Sequence, residues 1–510
     1  MRTLPFLLLL CVALTACADS SAKVIVTPKP TTTTVQWGVV GVTDIPTLDP
    51  ALASDSTSIS LVSLIYGGLV RLDSGLHVRP DGAKRWTISR DGKVYTFFLR
   101  QNLRFPDGRR ASAYTIAAAL QRAMGSQGAS GAAAAYLGLI AHGTTGKNHR
   151  QVRGILPLDA TTLRITLIQP AAHFLAELAF PSSYVPDPAV QRMYGSSWTD
   201  HAAGFGPFFV RVWKHSRYLT LQRNPYYYGG LPSLKLIKFR FYDAESSALS
   251  AFQNGTLDLV SGLPVGDSLG ARVAGATRIP ALALDYLAFN TSRLPFFRTK
   301  AREAFAAEVT PSLVRGAMGS VAFPATQFLP RAFGLNVPLW RPTAVGRTYL
   351  LAARFTHPKR FPRITLVMLQ DPNLYALAQK MAAGWKRALG VTVLLRQLNP
   401  SDYSAVLNAR LFDLALIRWG ADYPDPQDFL GTQLGTSPDN VTGWTRSAYQ
   451  HEVLLADSYN PNDPRRLSFF AQAASSAAAS VPILPLDQPA QTAVISPALK
   501  RVSLTALGTI

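Results

Sequence analysis

Cysteine is almost missing from this sequence. The chain holds two in 510 residues, Cys11 and Cys17. Both lie close to the start, so neither an internal disulfide framework nor a multi-cysteine zinc module is available to staple a fold. Acidic residues are sparse as well: 30 Asp and Glu stand against 51 Lys and Arg, a net charge of +21. The excess is scattered, with no five-residue basic block and no basic element interleaved with aromatics. This argues against a nucleic-acid binder and for a diffuse surface field attractive to anionic lipid heads. The eight histidines lack H-x-x-x-H spacing, so no catalytic zinc site can be read. No run reaches the roughly 18 uncharged apolar residues of a membrane-spanning helix.

What is present is ample apolar material, 48% of residues, and a length that favours two or three lobes over one. The apolar run "LPFLLLLCVAL" (4–14) after Arg2 has the length of a signal peptide. It ends in Leu14-Thr15-Ala16-Cys17, which resembles the lipobox of bacterial lipoproteins. The resemblance implies cleavage before Cys17 and lipid on its sulfur; an ordinary secretory signal with an incidental cysteine is the alternative. The Thr-, Ser- and Pro-rich segment after Cys17 reads as a tether that reaches on the order of 50 Å when extended.

Further along, "VQWGVVG" (35–41), "KVYTFFLR" (93–100), "TTLRITLI" (161–168) and "LKLIKFRFY" (234–242) have the alternation and β-branched content of strands. "SISLVSLIYGGLV" (58–70) has helical spacing and a Gly67-Gly68 stop. "RITLVML" (363–369), a helix over 371–390 and "VTVLLRQL" (391–398) form a βαβ unit, which requires a parallel sheet. Asp371 caps that helix, Pro372 takes its first turn and Gly390 closes it. "FDLALIRWG" (412–420) is a further strand that delivers "ADYPDP" at its carboxyl end, where open α/β sheets bind ligands.

Several motifs now stand in order: "TLDP" (47–50), "YGGLVRLD" (66–73), "WTISRDGKVYTFFLRQNLRFPDGR" (86–109), "GFGPFFVRVW" (204–213), "LQRNPYYYGG" (221–230), "DYLAFNTSRLPFFRTKAREAF" (285–305) and "FDLALIRWGADYPDPQDFL" (412–430). Together they resemble the solute-binding proteins of ABC-type oligopeptide and dipeptide importers, family 5, from about Val35 to Val502. The resemblance implies an α/β, two-lobe periplasmic-binding-protein type II fold, clam-like, with an extra inserted domain. Its expected layout is a signal peptide (1–16), a lipidated tether (17–34), lobe 1 from segments 35–66, 199–290 and 486–510, an inserted domain (67–198) and lobe 2 (291–485). It also implies an exported, lipid-anchored monomer facing the periplasm or cell exterior. Peptide and permease subunits are its partners, it needs no cofactor, and nickel complexes, haem or short sugars are the alternative solutes.

In relatives that bind peptides, the aspartate of a similar "ADY" turn holds the ligand's α-ammonium, and Asp422 matches that position. Backbone groups at Trp419, Gly420 and Ala421 would pair with peptide main chain; Trp419 reads equally as a cleft wall or as core. Asp425 and Asp428 read as structural carboxylates. Tyr136, Ser54 and Asp55 match ligand-facing loops, against core packing for the first and a solvated turn for the others. Arg410 matches a partner for the ligand's carboxylate. A different class of reading, a secreted serine hydrolase, rests on "GDSLG" (266–270) and Ser268, a weak signal without a strand feeding it.

Overall fold

The computed structural model describes residues 33–125, 133, 136–141, 152–264, 269–319, 322–355, 361–500 and 502–509. Cys17, Ser268 and the signal segment lie outside them. The strand runs marked by alternation form as expected, at Thr34–Val40, Val94–Leu99, Thr162–Thr166 and Leu236–Tyr242. The βαβ unit is also present. Ile364–Leu369 pairs in parallel with Val393–Leu398, joined by the helix Pro372–Leu389. Asp371 accepts hydrogen bonds from the amides of Asn373 and Leu374, and Gly390 closes the helix in the left-handed region. One helix ends early: the stretch 58–70 is helical only as Ser56–Ile65. Tyr66 turns extended to place its hydroxyl on the Leu48 carbonyl. Gly67 then passes so close to Phe205 that a Cβ would sit 2.5 Å from its ring.

Twelve strands make one sheet in two halves. Leu259–Ser261, Thr34–Val40, Leu236–Tyr242, Tyr218–Arg223 and Phe208–Lys214 form the first half. The second half contains Ala283–Phe289, Leu414–Gly420, Ile364–Leu369 and Val393–Leu398. The strand Ile483–Ile495 belongs to both. Its beginning pairs with Ala283–Phe289, and its end with Ala276–Pro280 and Leu259–Ser261. A two-stranded antiparallel ribbon therefore crosses between the halves. A separate four-stranded sheet, Ala83–Ile88, Val94–Leu99, Thr162–Thr166 and Ile155–Asp159, packs with the helix Ala113–Met124 around its own core.

Strand Leu414–Gly420 shows how the second lobe is built. Leu414 and Leu416 point into the core under helix Pro372–Leu389, while Ala415 and Ile417 point into the core on the other face. Burial on both faces is what a sheet layered between helices requires. Arg418 breaks that pattern near the crossing ribbon. It binds Asp285 through two hydrogen bonds of 2.7 Å, while the Asp487 carboxyl lies fully buried beside them.

Burial raises Asp487 to about 8, Asp285 adds to the rise, and Arg418 opposes it. A folded-state pKa above the unfolded value stabilises below the unfolded value, near 3.8, and that contribution is lost as pH rises through about 8. Thermal unfolding of wild type and Asp487→Asn between pH 5 and about 9 checks this: the wild type should lose stability with rising pH more steeply than the variant. Parallel profiles would contradict the assignment.

Candidate functional site

After Gly420 the chain leaves the sheet, with the Ala421 amide bonded to the Leu282 carbonyl at 2.7 Å. It then turns through Asp422, Tyr423 and Pro424 into the short helix Pro426–Leu430. The two later aspartates build this turn. Asp425 caps the helix through the Gln427 amide and is paired with Arg466 at 2.7 Å in a buried contact. Asp428 is fully buried and accepts from the Trp419 indole at 3.0 Å and from the Asp422 amide at 3.3 Å. Burial holds its carboxyl well above the usual range, and Asp422 reinforces the shift.

The turn borders a cavity of about 500 Å³. Asp422 and Ala421 line one side, Tyr136 and Phe180 of the inserted domain another, and Ser54 and Arg71 belong to further walls. Tyr136 and Phe180 stack at 4.8 Å, and the Tyr136 hydroxyl donates to the Asp422 carbonyl at 3.3 Å. Tyr66, Tyr184, Tyr227 and Tyr228 add aromatic surface. Tyr227 and Tyr228 come from "NPYYYGG", where tyrosines after an Asn-Pro turn are the sign of this wall in the sequence.

Three carboxylates line the cavity: Asp73, Asp81 and Asp422. Asp73 is occupied by Arg79 at 2.7 Å and by the backbone amides of Gly75 and His77. Asp81 takes the Tyr228 hydroxyl and the Gly68 amide. The Asp422 carboxylate has no hydrogen bond or ion pair among the described residues, because the contacts of Asp422 run through its backbone. Although open to the cavity, this carboxyl is raised, by desolvation first and by Asp439 second. A carboxylate in that condition gains from a cation brought to it.

The other positions singled out in the sequence fall elsewhere. Asp55 does not line the cavity; it caps the helix Ser56–Ile65 through the Ser58 amide at 2.8 Å. Trp419 packs on the second-lobe core, and Gly420 is exposed beyond the cavity lining. Arg410 precedes the amino end of the strand whose carboxyl end carries Asp422, and its guanidinium donates to the Asn440 carbonyl at 2.8 Å. Seven strand residues at about 3.3 Å each hold the two apart. Arg71 is the basic residue among the cavity-lining residues instead, 3.9 Å from Asp81.

A buried cluster missed in the sequence joins the inserted domain to this turn. His173 hydrogen-bonds Asp457 at 3.1 Å, lies 3.7 Å from Glu177, and stacks on Tyr423 at 5.5 Å. Arg466 bridges Asp425 and Asp457. Burial alone would lower His173, but Asp457 and Glu177 outweigh it and hold it at about 9. Burial lifts Glu177 to about 7 against the pull of His173. Both folded values exceed the unfolded ones, so the stabilisation is complete at low pH and is lost upward. For Glu177 the window is 4.5 to about 7, and for His173 it is 6.5 to about 9. Arg466→Met should cost roughly 3–5 kcal/mol by leaving the buried Asp425 carboxylate without its cation. His173→Gln should flatten the fall in melting temperature on the alkaline side; an unchanged pH profile would remove His173 from this role.

Residues 77–440 match the family described as bacterial extracellular solute-binding proteins, family 5. The chain is 28% identical over 466 residues to a probable deoxycholate-binding periplasmic protein, YgiS, of Escherichia coli, covering 86% of this chain and 85% of that one. It is 26% identical to the periplasmic oligopeptide-binding protein OppA of Salmonella typhimurium, covering 84% and 82%. Among solved structures, the unliganded open form of the periplasmic murein tripeptide-binding protein MppA shares the fold. Its TM-score is 0.80 at 24% identity, over 94% of this chain and 95% of that one. The family match spans most of the chain, and the two-lobe α/β architecture agrees with it: this protein belongs to the family 5 extracellular solute-binding proteins.

Proposed function

We propose that this protein is the non-enzymatic, lipid-anchored receptor of an ABC importer, capturing short peptides in the cavity beside Asp422 and passing them to a membrane permease. One observation carries the reading: of the three cavity carboxylates, Asp422 is the one whose side chain has no partner among the described residues. A peptide enclosed between lobes must have its terminal ammonium paired, since a buried unpaired charge costs several kcal/mol. Asp422 supplies that pair, Arg71 replaces Arg410 as the counterpart for the carboxylate, and the tyrosines take side chains without demanding one sequence. A volume near 500 Å³ suits a small ligand. Closure turns on the crossing ribbon between Ala276–Phe289 and Ile483–Ile495.

A second reading has its own support. The aromatic walls, Arg71 and the kinship to a protein named for deoxycholate favour a bulky amphipathic anion. The raised Asp422 carboxyl opposes it once ionised. Among the described residues no group of three or more His, Cys, Asp or Glu could hold a metal ion.

Asp422→Asn keeps the size and removes the charge. It should weaken binding of a free peptide by roughly 2–5 kcal/mol, about thirtyfold or more. The N-acetylated peptide should bind the wild type poorly and lose little further in the variant. Calorimetric titration with free peptide, acetylated peptide and deoxycholate decides: tight binding of deoxycholate alone transfers the site to the second reading. Cys17→Ala should release the exported protein from membranes washed at high salt, which screens purely electrostatic contacts but leaves an acyl anchor in place; a variant that stays with the washed membranes as the wild type does would refute the anchor.

A further inference from the structure

Basic residues that are scattered in the sequence converge on the outer face of the first lobe. Strands Phe208–Lys214, Tyr218–Arg223 and Leu236–Tyr242 pair antiparallel there. Lys238 and Arg240 are two residues apart and so share a face, lying opposite Thr220 and Tyr218. The register slips between Val210 and Val212, a bulge centred on Arg211, and bulges re-aim side chains. Arg217 comes from the turn that joins the two outer strands.

These four cations line one concavity of about 550 Å³, together with Tyr218, Thr220 and a few apolar neighbours, and among the described residues no Asp or Glu lines it. Unlike Arg79, Arg109, Arg122, Arg418 or Arg466, none of the four has an ion pair among the described residues. Four unneutralised cations around one hollow repel each other and are relieved by an anion. The position of the hollow points to a particular anion. Thr34, where the first strand begins, pairs with Leu236 on its lining, and the Thr33 carbonyl accepts from the amides of Lys235 and Leu236. The amino-terminal segment therefore enters the fold at the edge of this hollow.

We propose that this basic concavity is a membrane-docking surface that seats the phosphate-bearing head groups of anionic lipids, laying the outer sheet face of the first lobe against the bilayer. It is independent of the peptide reading, and it draws on the amino-terminal anchor only for the direction the face takes. A tether keeps the protein near the membrane, and the hollow selects which side meets it. A cation held at an anionic surface contributes roughly fivefold in partitioning, and salt screens the effect.

The test uses the full exported chain carrying Cys17→Ala, so that lipidation does not mask the contact. Sedimentation with vesicles of phosphatidylcholine alone, and of phosphatidylcholine mixed with phosphatidylglycerol, reads the partitioning. Binding to the anionic vesicles only is expected, falling with salt. The quadruple variant R211Q/R217Q/K238Q/R240Q should lose at least about tenfold. A charge-matched control on the second lobe, R347Q/K386Q/R387Q/R396Q, should stay within about threefold. The charge-preserving R211K/R240K should bind like its parent, and the R211Q/R217Q and K238Q/R240Q halves provide milder variants should the quadruple misfold. Equal losses in the groove and control variants would assign the effect to diffuse charge and overturn the proposal. So would thermal stabilisation by millimolar inorganic phosphate that requires the four cations but comes without vesicle binding; that result describes a free-anion site.

Discussion

Arg466 holds the turn that carries Asp422 in place. Its buried guanidinium meets Asp425 at 2.7 Å and Asp457 at 3.5 Å, and Asp425 in turn caps the helix that begins at Pro426. With that corner fixed, Asp428 turns inward to take the Trp419 indole and the Asp422 amide. The Asp422 side chain is left as the one without a partner among the described residues. In a chain so poor in acid, three carboxylates within seven residues would repel one another. The structure separates their tasks: one is neutralised by arginine, one is buried with its pKa raised, and one faces the cavity. The exposed charge is usable because the other two are structurally occupied.

The same corner joins the inserted domain to the second lobe. His173 reaches Asp457 and stacks on Tyr423, while Tyr136 and Phe180 stack on each other over the Asp422 carbonyl. Two walls of the cavity are thereby tied by polar contacts, and the first lobe meets the second through a ribbon of two strands.

Local pattern made much of the fold legible. The helix from Pro372 to Leu389 could be drawn from its cap, proline and terminal glycine, and its buried residues from Leu374 to Leu389 follow the 3.6-residue period. The strand ending at Gly420 and the turn beyond it were equally clear. A structural role for Asp425 and Asp428 followed from position, with Asp425 directly before a helix-starting proline; the inward turn of Asp428 to the Trp419 indole did not. Contacts between distant segments were not legible. Nothing near His173 announces Asp457, and Asp285, Arg418 and Asp487 meet only because three strands align. Arg410 was drawn toward the site by motif order, yet strand direction carries it to the opposite end. The four cations of the outer face lie up to 29 positions apart, between Arg211 and Arg240, so counting charge along the chain disperses what the sheet gathers.

The central claim is that the Asp422 carboxylate waits for a ligand cation. Its pKa can be followed by carbon NMR with labelled aspartate, using Asp422→Asn to assign the signal, in the free protein and at saturation with a short unblocked peptide. In the free protein the value should lie above the ordinary carboxylate range, because desolvation and Asp439 raise it. On binding it should fall below that range as the ammonium pairs with it. A carboxyl that titrates identically with and without bound peptide would contradict the account.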